Sequence, residues 1–309
     1  MGELSVNKIC RPNGIEAGDV ITQSPKNIIS LGWHLLIANY KVHDFGDGIP
    51  ILFMHGFPFD SSMWYSTANI LLSANQTQPQ KFLNYRTIMP DLPGLGQSEL
   101  PREAPVPTPY GVSIDRYAYE LEDVLDELGV KEPVVVVGLS MGGYIAIQFA
   151  NDYSEIVSGL VLCNTKTAKD SEEVKTKRLD LMDSIRAASP DEAAQILEQI
   201  ADSMIPKLFA AKTYSDKPEI VERVRSMITS NNPLGVSAAT WGMAVRDDTS
   251  EFLANVKCPV LVIGGDEDQF TPPSTMKQLA EIAKSSKYVE IPNAGHLPPM
   301  EQPQLFAAA

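Results

Sequence analysis

The chain has 309 residues, with 25 Lys and Arg against 39 Asp and Glu, a formal net charge of −14 at pH 7 and 44% hydrophobic residues. Such an acid excess excludes a partner of the nucleic-acid backbone, and apolar runs such as Pro133–Val137 and Pro259–Ile263 fall far short of the roughly 20 residues that span a bilayer. Three scattered cysteines, Cys10, Cys163 and Cys258, form no Cys-x-x-Cys pair, which predicts reduced packing thiols rather than a disulfide frame or metal site.

The start, Met1-Gly2-Glu3-Leu4, lacks the basic and apolar stretches of a secretion signal, so a cytoplasmic protein is expected. Residues 1–30 read as a poorly packed arm. From Trp33 to His43 the pattern predicts one strand, Asp44 to Gly48 a turn, and Ile49 to Met54 a buried strand, together a hairpin entering the core. A helical stretch around Met63–Leu72 and a strand at Tyr85–Met89 follow. The segment Ile114–Leu128 puts Tyr117, Leu121, Val124, Leu125 and Leu128 on one helical face and ends at Gly129.

Pro133–Val137 is β-branched without alternation, as in a strand covered on both faces. It leads through a glycine turn into a helix over Tyr144–Asn151, and Gly159–Cys163 is the next buried strand. Strands alternating with helices predict an α/β fold, a mostly parallel sheet with helices on both faces. From 165 to 255 only helical periods occur, among them Val174–Ile185 and Ala193–Met204, before strands resume at Val260–Ile263 and Tyr288–Ile291. The chain thus divides into a core of 31–164 and 256–309 and an inserted helical cap of 165–255. Met182, Met204, Leu208, Phe209, Met227, Trp241 and Met243 are candidates for internal packing of that cap or for an apolar pocket lining.

The most informative segment is Gly138-Leu139-Ser140-Met141-Gly142, set between a buried strand and a helix. A Ser on so sharp a turn needs small neighbours, and the turn offers its hydroxyl at a helix N-terminus. A serine hydroxyl becomes a nucleophile when a His takes its proton and a carboxylate orients that His. Of the four histidines, His34, His43 and His55 precede the Ser, and only His296 has the place expected in the order nucleophile, acid, base. Asp266, Glu267 and Asp268 compete for the acid. Asp268 is favoured because it lies past the strand end and the turn, with Asp266 as the alternative. Oxyanion donors are expected from the backbone N–H of Met141, after the nucleophile, and of Phe57 in His55-Gly56-Phe57-Pro58.

These segments, with Asp91-Leu92-Pro93-Gly94-Leu95-Gly96-Gln97-Ser98 and Gly295-His296, resemble the α/β-hydrolase superfamily over about Trp33 to Phe306, and within it carboxylesterases and 3-oxoadipate enol-lactonases. The resemblance implies a Ser140, Asp268, His296 triad, Phe57 and Met141 as oxyanion donors, and no cofactor and no metal. The implied reaction is hydrolysis of a carboxylic ester or lactone of a small, mainly apolar molecule through an acyl-enzyme. C–C bond hydrolysis and perhydrolysis use the same triad, and a ligand-sensing receptor of this fold is the alternative outside enzymes. The site motifs show no Arg or Lys clamp; Arg102, Lys166 or Arg246 would supply one if folding brought it near. Four features depart from the pattern: the arm, the long polar stretch Ala74–Asn84, the Pro-rich 105–109 loop, and a C-terminus short of a closing helix.

Overall fold

The computed structural model describes residues 33–37, 40–77, 84–101 and 111–309. The expected arm, the Pro-rich loop, Arg102, Cys10 and most of the polar stretch after Ala74 lie outside them. Among the described residues eight strands form one sheet: β1 (Trp33–Ile37), β2 (Tyr40–Gly46), β3 (Ile49–Met54), β4 (Tyr85–Pro90), β5 (Val134–Leu139), β6 (Val157–Cys163), β7 (Val260–Gly265) and β8 (Ser286–Ile291). Their order is β1-β2-β4-β3-β5-β6-β7-β8, antiparallel at β1-β2 and β2-β4 and parallel from β4 to β8.

The N-terminal strands correct the hairpin expectation. The stretch read as one strand divides into β1 and β2, and β2 runs on through Gly46 to pair with β4 instead of β3. A short turn joins β2 to β3, but the apolar β3 takes a parallel neighbour on each side, β4 and β5. Asp44 is therefore a strand residue, and both its carboxylate oxygens accept from Arg86 on β4, at 2.9 and 2.7 Å.

After β3, a 3-10 turn at Ser61–Trp64 leads into α1 (Tyr65–Thr77), which precedes β4. The amphipathic α2 (Ile114–Glu127) buries Tyr117, Leu121, Val124 and Leu125. It stops at Gly129, whose φ of 63° a Cβ would disfavour. The helix α3 (Met141–Asp152) packs against β3, β5 and β6 and against α2, while α1 packs against β4. Leu52, Phe53, Met54, Ile88, Met89, Val136, Leu160, Leu162 and Val262 fill the core along the sheet.

Between β6 and β7 the described chain is helical: α4 (Glu172–Ala187), α5 (Pro190–Leu208), α6 (Ala211–Asp216), α7 (Pro218–Thr229), α8 (Pro233–Val245) and α9 (Ser250–Ala254). Ser189 and Glu192 form a capping box that starts α5. The helix α10 (Pro273–Ile282) packs on β7 and β8, and α11 (Pro298–Glu301) and α12 (Pro303–Ala308) close the described chain. A closing helix is thus present, against expectation, although it is short. It buries Phe306 against Trp64, with ring centroids 5.9 Å apart.

From β3 the chain first builds β4 on one side and then β5 to β8 on the other. In open parallel sheets a crevice forms at such a reversal, beyond the carboxyl ends of the strands, and ligands bind there. The ends of β3 and β5 lead to Phe57 and Ser140.

Candidate active site

Ser140 sits between β5 and α3 with φ 55° and ψ −114°, a conformation that non-glycine residues seldom adopt. Its backbone is held on several sides. Its N–H donates to the Cys163 carbonyl at 3.0 Å, and its own carbonyl accepts from Gly143 N at 2.9 Å and Thr165 Oγ1 at 2.7 Å. The following turn of α3 lies so close to β3 that a Cβ on Gly142 would stand 2.1 Å from the Met54 carbonyl oxygen. Glycine is required there for the close approach, which brings the loop after β3 next to the Ser140 turn. As the first residue of α3, Met141 has an N–H without an intrahelical acceptor.

The loop after β3 is fixed from beneath by His55, which is fully buried. Its Nε2 accepts from Leu92 N at 2.8 Å, so its Nδ1 carries the proton it gives to the Gly56 carbonyl at 2.9 Å. Burial lowers the His55 pKa, with the nearby Asp91 opposing, in keeping with a neutral structural imidazole. Asp91 accepts from Ser61 N, Ser61 Oγ and Gln97 N and so ties together the two loops that follow β3 and β4. The Phe57–Pro58 peptide is cis.

His296 lies in the loop after β8, with its N–H bonded to the Leu208 carbonyl at 2.7 Å. Its Nδ1 is 2.8 Å from Asp268 Oδ2. Both residues are buried. Asp268 also accepts from Phe270 N at 2.8 Å and Thr271 Oγ1 at 2.6 Å. Burial alone would raise its pKa, but the His296 charge and these donors outweigh burial and hold it below the usual carboxylate range. Of the three candidate acids, Asp266 and Glu267 are exposed and spend their carboxylates on the backbone N–H groups of Ala294 and Ala211.

Ser140, His296 and Phe57 line one cavity of about 300 Å³. No hydrogen bond joins Ser140 Oγ to His296 among the described residues, although the two share this cavity. The inserted helices supply much of the remaining wall, with Leu181, Ile200, Met204 and Met243 as apolar surface. Of the apolar cap residues singled out in the sequence, only Met204 and Met243 reach it; Met182, Leu208, Phe209 and Met227 are buried as packing. The lining is not free of cations, because Lys166 and Arg178 contribute to it. Arg246 instead is buried behind Tyr144, its guanidinium 4.1 Å from the ring centroid.

A family model described as the alpha/beta hydrolase fold matches residues 49–303. The chain belongs to the α/β-hydrolase family. Like other members it has relatives with varied activities. It is similar to the AB hydrolase superfamily protein YisY of Bacillus subtilis (strain 168), 30% identical over 261 residues that cover 82% of this chain and 87% of that protein. A thermophilic esterase from Thermogutta terrifontis, solved with malate bound, is 36% identical with a TM-score of 0.75, over 87% of this chain and 90% of that one. The enol-lactonase from Burkholderia xenovorans LB400 shares the hydrolase fold at 22% identity and a TM-score of 0.72, over 88% of this chain and 96% of that one.

Several residues of this hydrolase site were not singled out from the sequence. Asn164, with φ 42°, accepts from Gly265 N at 3.0 Å through its side-chain oxygen and donates to the Gly295 carbonyl at 2.9 Å. It therefore joins the end of β7 to the His296 loop, and its neighbour Thr165 holds Ser140. Their position just past the end of a buried parallel strand was the available signal. Arg178 carried none, since its helix reads as an ordinary amphipathic segment. Among the described residues no group of three or more His, Cys, Asp or Glu is placed to hold a metal ion, and no helix is long and apolar enough to cross a membrane.

Proposed function

We propose that the protein is a serine hydrolase that cleaves the carboxylic ester or lactone bond of a small molecule, with Ser140 as nucleophile, His296 as general base and Asp268 as its orienting acid. The observation that carries this reading is the buried Asp268–His296 pair opening on the same cavity as the strained Ser140. With Nδ1–H given to Asp268, the imidazole presents Nε2 to take the Ser140 proton as Oγ attacks the acyl carbon. The carbonyl oxygen becomes negative, and the N–H groups of Phe57 and Met141 are the donors assigned to it. His296 then passes the proton to the leaving alkoxide, or to the ring oxygen of a lactone. Water enters, gives a proton to His296 and attacks the acyl-enzyme; the free acid leaves and Oγ is reprotonated.

The segment 165–255 acts in this reading as the cap over the site. Its apolar side chains, with Phe57 and Phe270, hold the carbon skeleton of a substrate small enough for about 300 Å³. The enzyme needs no cofactor, acts on a small molecule and works in the cytoplasm. The test is labelling by a fluorophosphonate probe beside turnover of a short-chain p-nitrophenyl ester. Labelling and multiple turnover are expected in the wild type and neither in Ser140→Ala, with His296→Ala strongly impaired in both. A folded wild type that neither labels nor turns over would remove the basis for the reading.

A further inference from the structure

A group of charges that ion pairing alone does not account for reaches the wall of the cavity through Lys166 and Arg178. Asp170, on the segment leading into α4, has a side chain only 1% exposed and meets three cations. Arg246, 4% exposed, already satisfies it with both terminal nitrogens, Nη1 at 2.9 Å from Oδ2 and Nη2 at 3.0 Å from Oδ1. One carboxylate and one bidentate arginine make a complete pair. Lys166 Nζ nevertheless stands 3.3 Å from the same group and Arg178 Nε 2.7 Å from it. The cluster of four side chains therefore carries an excess of two positive charges, in a chain whose net charge is −14.

The two surplus cations are the ones that line the cavity beside Ser140. Lys166 is 34% and Arg178 25% exposed, and no Asp or Glu lines the same cavity. Arg178 gives only its Nε to Asp170, so the planar fork of its terminal nitrogens bonds nothing among the described residues. Asp170 orients the two cations without neutralising them. In a cavity partly shielded from water their field acts at an effective dielectric well below that of bulk solvent.

We propose that Lys166 and Arg178 form an anion subsite, and that the preferred substrate is an ester or lactone whose acyl part carries a free carboxylate. This rests on the hydrolase reading above and names its substrate class. The carboxylate would sit in the Arg178 fork with Lys166 beside it, while the apolar wall holds the methylenes between it and the reacting carbonyl at Ser140. The chemistry is the same acyl transfer: water adds across the acyl–oxygen bond, releasing a dicarboxylic acid and an alcohol from an ester, or a single hydroxy dicarboxylic acid from a lactone. A guanidinium fork matches a carboxylate in both plane and spacing, which a lysine alone would not.

The experiment compares kcat/KM for p-nitrophenyl hydrogen succinate with that for p-nitrophenyl pentanoate, which has a similar length and no charge. The wild type is expected to favour the succinate ester, and Arg178→Gln to lower that ratio about tenfold or more, with Lys166→Gln lowering it less. A wild-type preference for the neutral ester, or a ratio that neither substitution changes, would overturn the subsite. Should a variant fail to fold, competition in the wild type decides: succinate should raise KM for the pentanoate ester at concentrations where succinamide does not, and equal effects would overturn the proposal. Calorimetric titration of succinate into Ser140→Ala reads the subsite without turnover, so its failure is distinguishable from a failure of hydrolysis.

Discussion

The carboxylate of Glu301 holds the backbone on both sides of His296. Its Oε1 accepts from Gly295 N at 2.8 Å and from Leu297 N at 3.2 Å. Its Oε2 accepts from Ala210 N at 2.8 Å and Thr213 Oγ1 at 2.7 Å, so one buried side chain clamps the His296 loop to the inserted helices. Burial raises its pKa while these four donors pull the other way. Glu301→Gln keeps one acceptor oxygen and turns an amide N–H₂ toward two donors that had a partner. We expect a loss of about 2–3 kcal/mol in urea denaturation. As a positioning residue Glu301 should also show a fall in kcat larger than any rise in KM; a variant as unstable but kinetically normal would restrict it to a structural role.

Asp268→Asn should leave the fold intact and the cavity unchanged, yet lower kcat by about 10⁴-fold. An amide at this position donates where His296 Nδ1–H needs an acceptor and favours the wrong tautomer. Turnover of a p-nitrophenyl ester measures the loss, and circular dichroism checks that the fold persists. Asp266→Asn, which removes an exposed carboxylate, should change kcat less than twofold.

Asp170 predicts a specific acid sensitivity. Burial would raise its pKa, but hydrogen bonds and charge from Arg246 and Arg178 prevail and lower it to about 2, against about 3.9 for an unfolded aspartate. The folded state therefore binds the proton less tightly than the unfolded chain, and the stabilisation is fully present above about pH 4 and lost as pH falls toward 2. Urea midpoints measured between pH 5 and pH 2 should fall through this window in the wild type. Asp170→Asn should be less stable at pH 5 and show a shallower decline over the same interval.

The positive φ of Ser140 carries a cost that can be measured by removing the side chain in two ways. Ser140→Ala keeps a Cβ in the strained conformation, whereas Ser140→Gly relieves it. Both should abolish turnover, with the Gly variant more stable than the Ala variant by about 1 kcal/mol in denaturant unfolding. Equal stability, or a less stable Gly variant, would mean that the turn at Ser140 stores no appreciable strain.

Much of the parallel sheet was legible because its strands are short β-branched runs set off by glycines. Val134–Leu139 and Val260–Gly265 can be located without knowing their neighbours. Pairing was less legible: the turn residues of Asp44–Gly48 hide the continuation of the strand through Gly46, and nothing local says that β4, distant in sequence, lies beside it. Ser140, His296 and the loop holding Asp268 announce themselves through glycine-rich local sequence. Glu301 and Asn164 do not, since their roles consist of bonds to backbone groups contributed by other segments. The cavity charges were hidden for the same reason. Lys166 and Arg246 were candidates by residue type alone, and Arg178 joins Lys166 at the cavity because α4 follows directly from Asp170.

The inserted helices leave the sheet at the end of β6 and rejoin it at β7, between the strands that lead to Ser140 and Asp268. One continuous block of sequence thus contributes the charged wall and much of the apolar wall, while Ser140, Asp268 and His296 all lie outside it. On the proposed reading, selectivity and reactivity are consequently inherited on separate stretches of chain. Exchange of the block between related hydrolases could redirect the choice of substrate in a single step, provided the incoming segment preserves the Leu208 carbonyl, Ala210 N–H and Thr213 hydroxyl contacts that anchor the His296 loop.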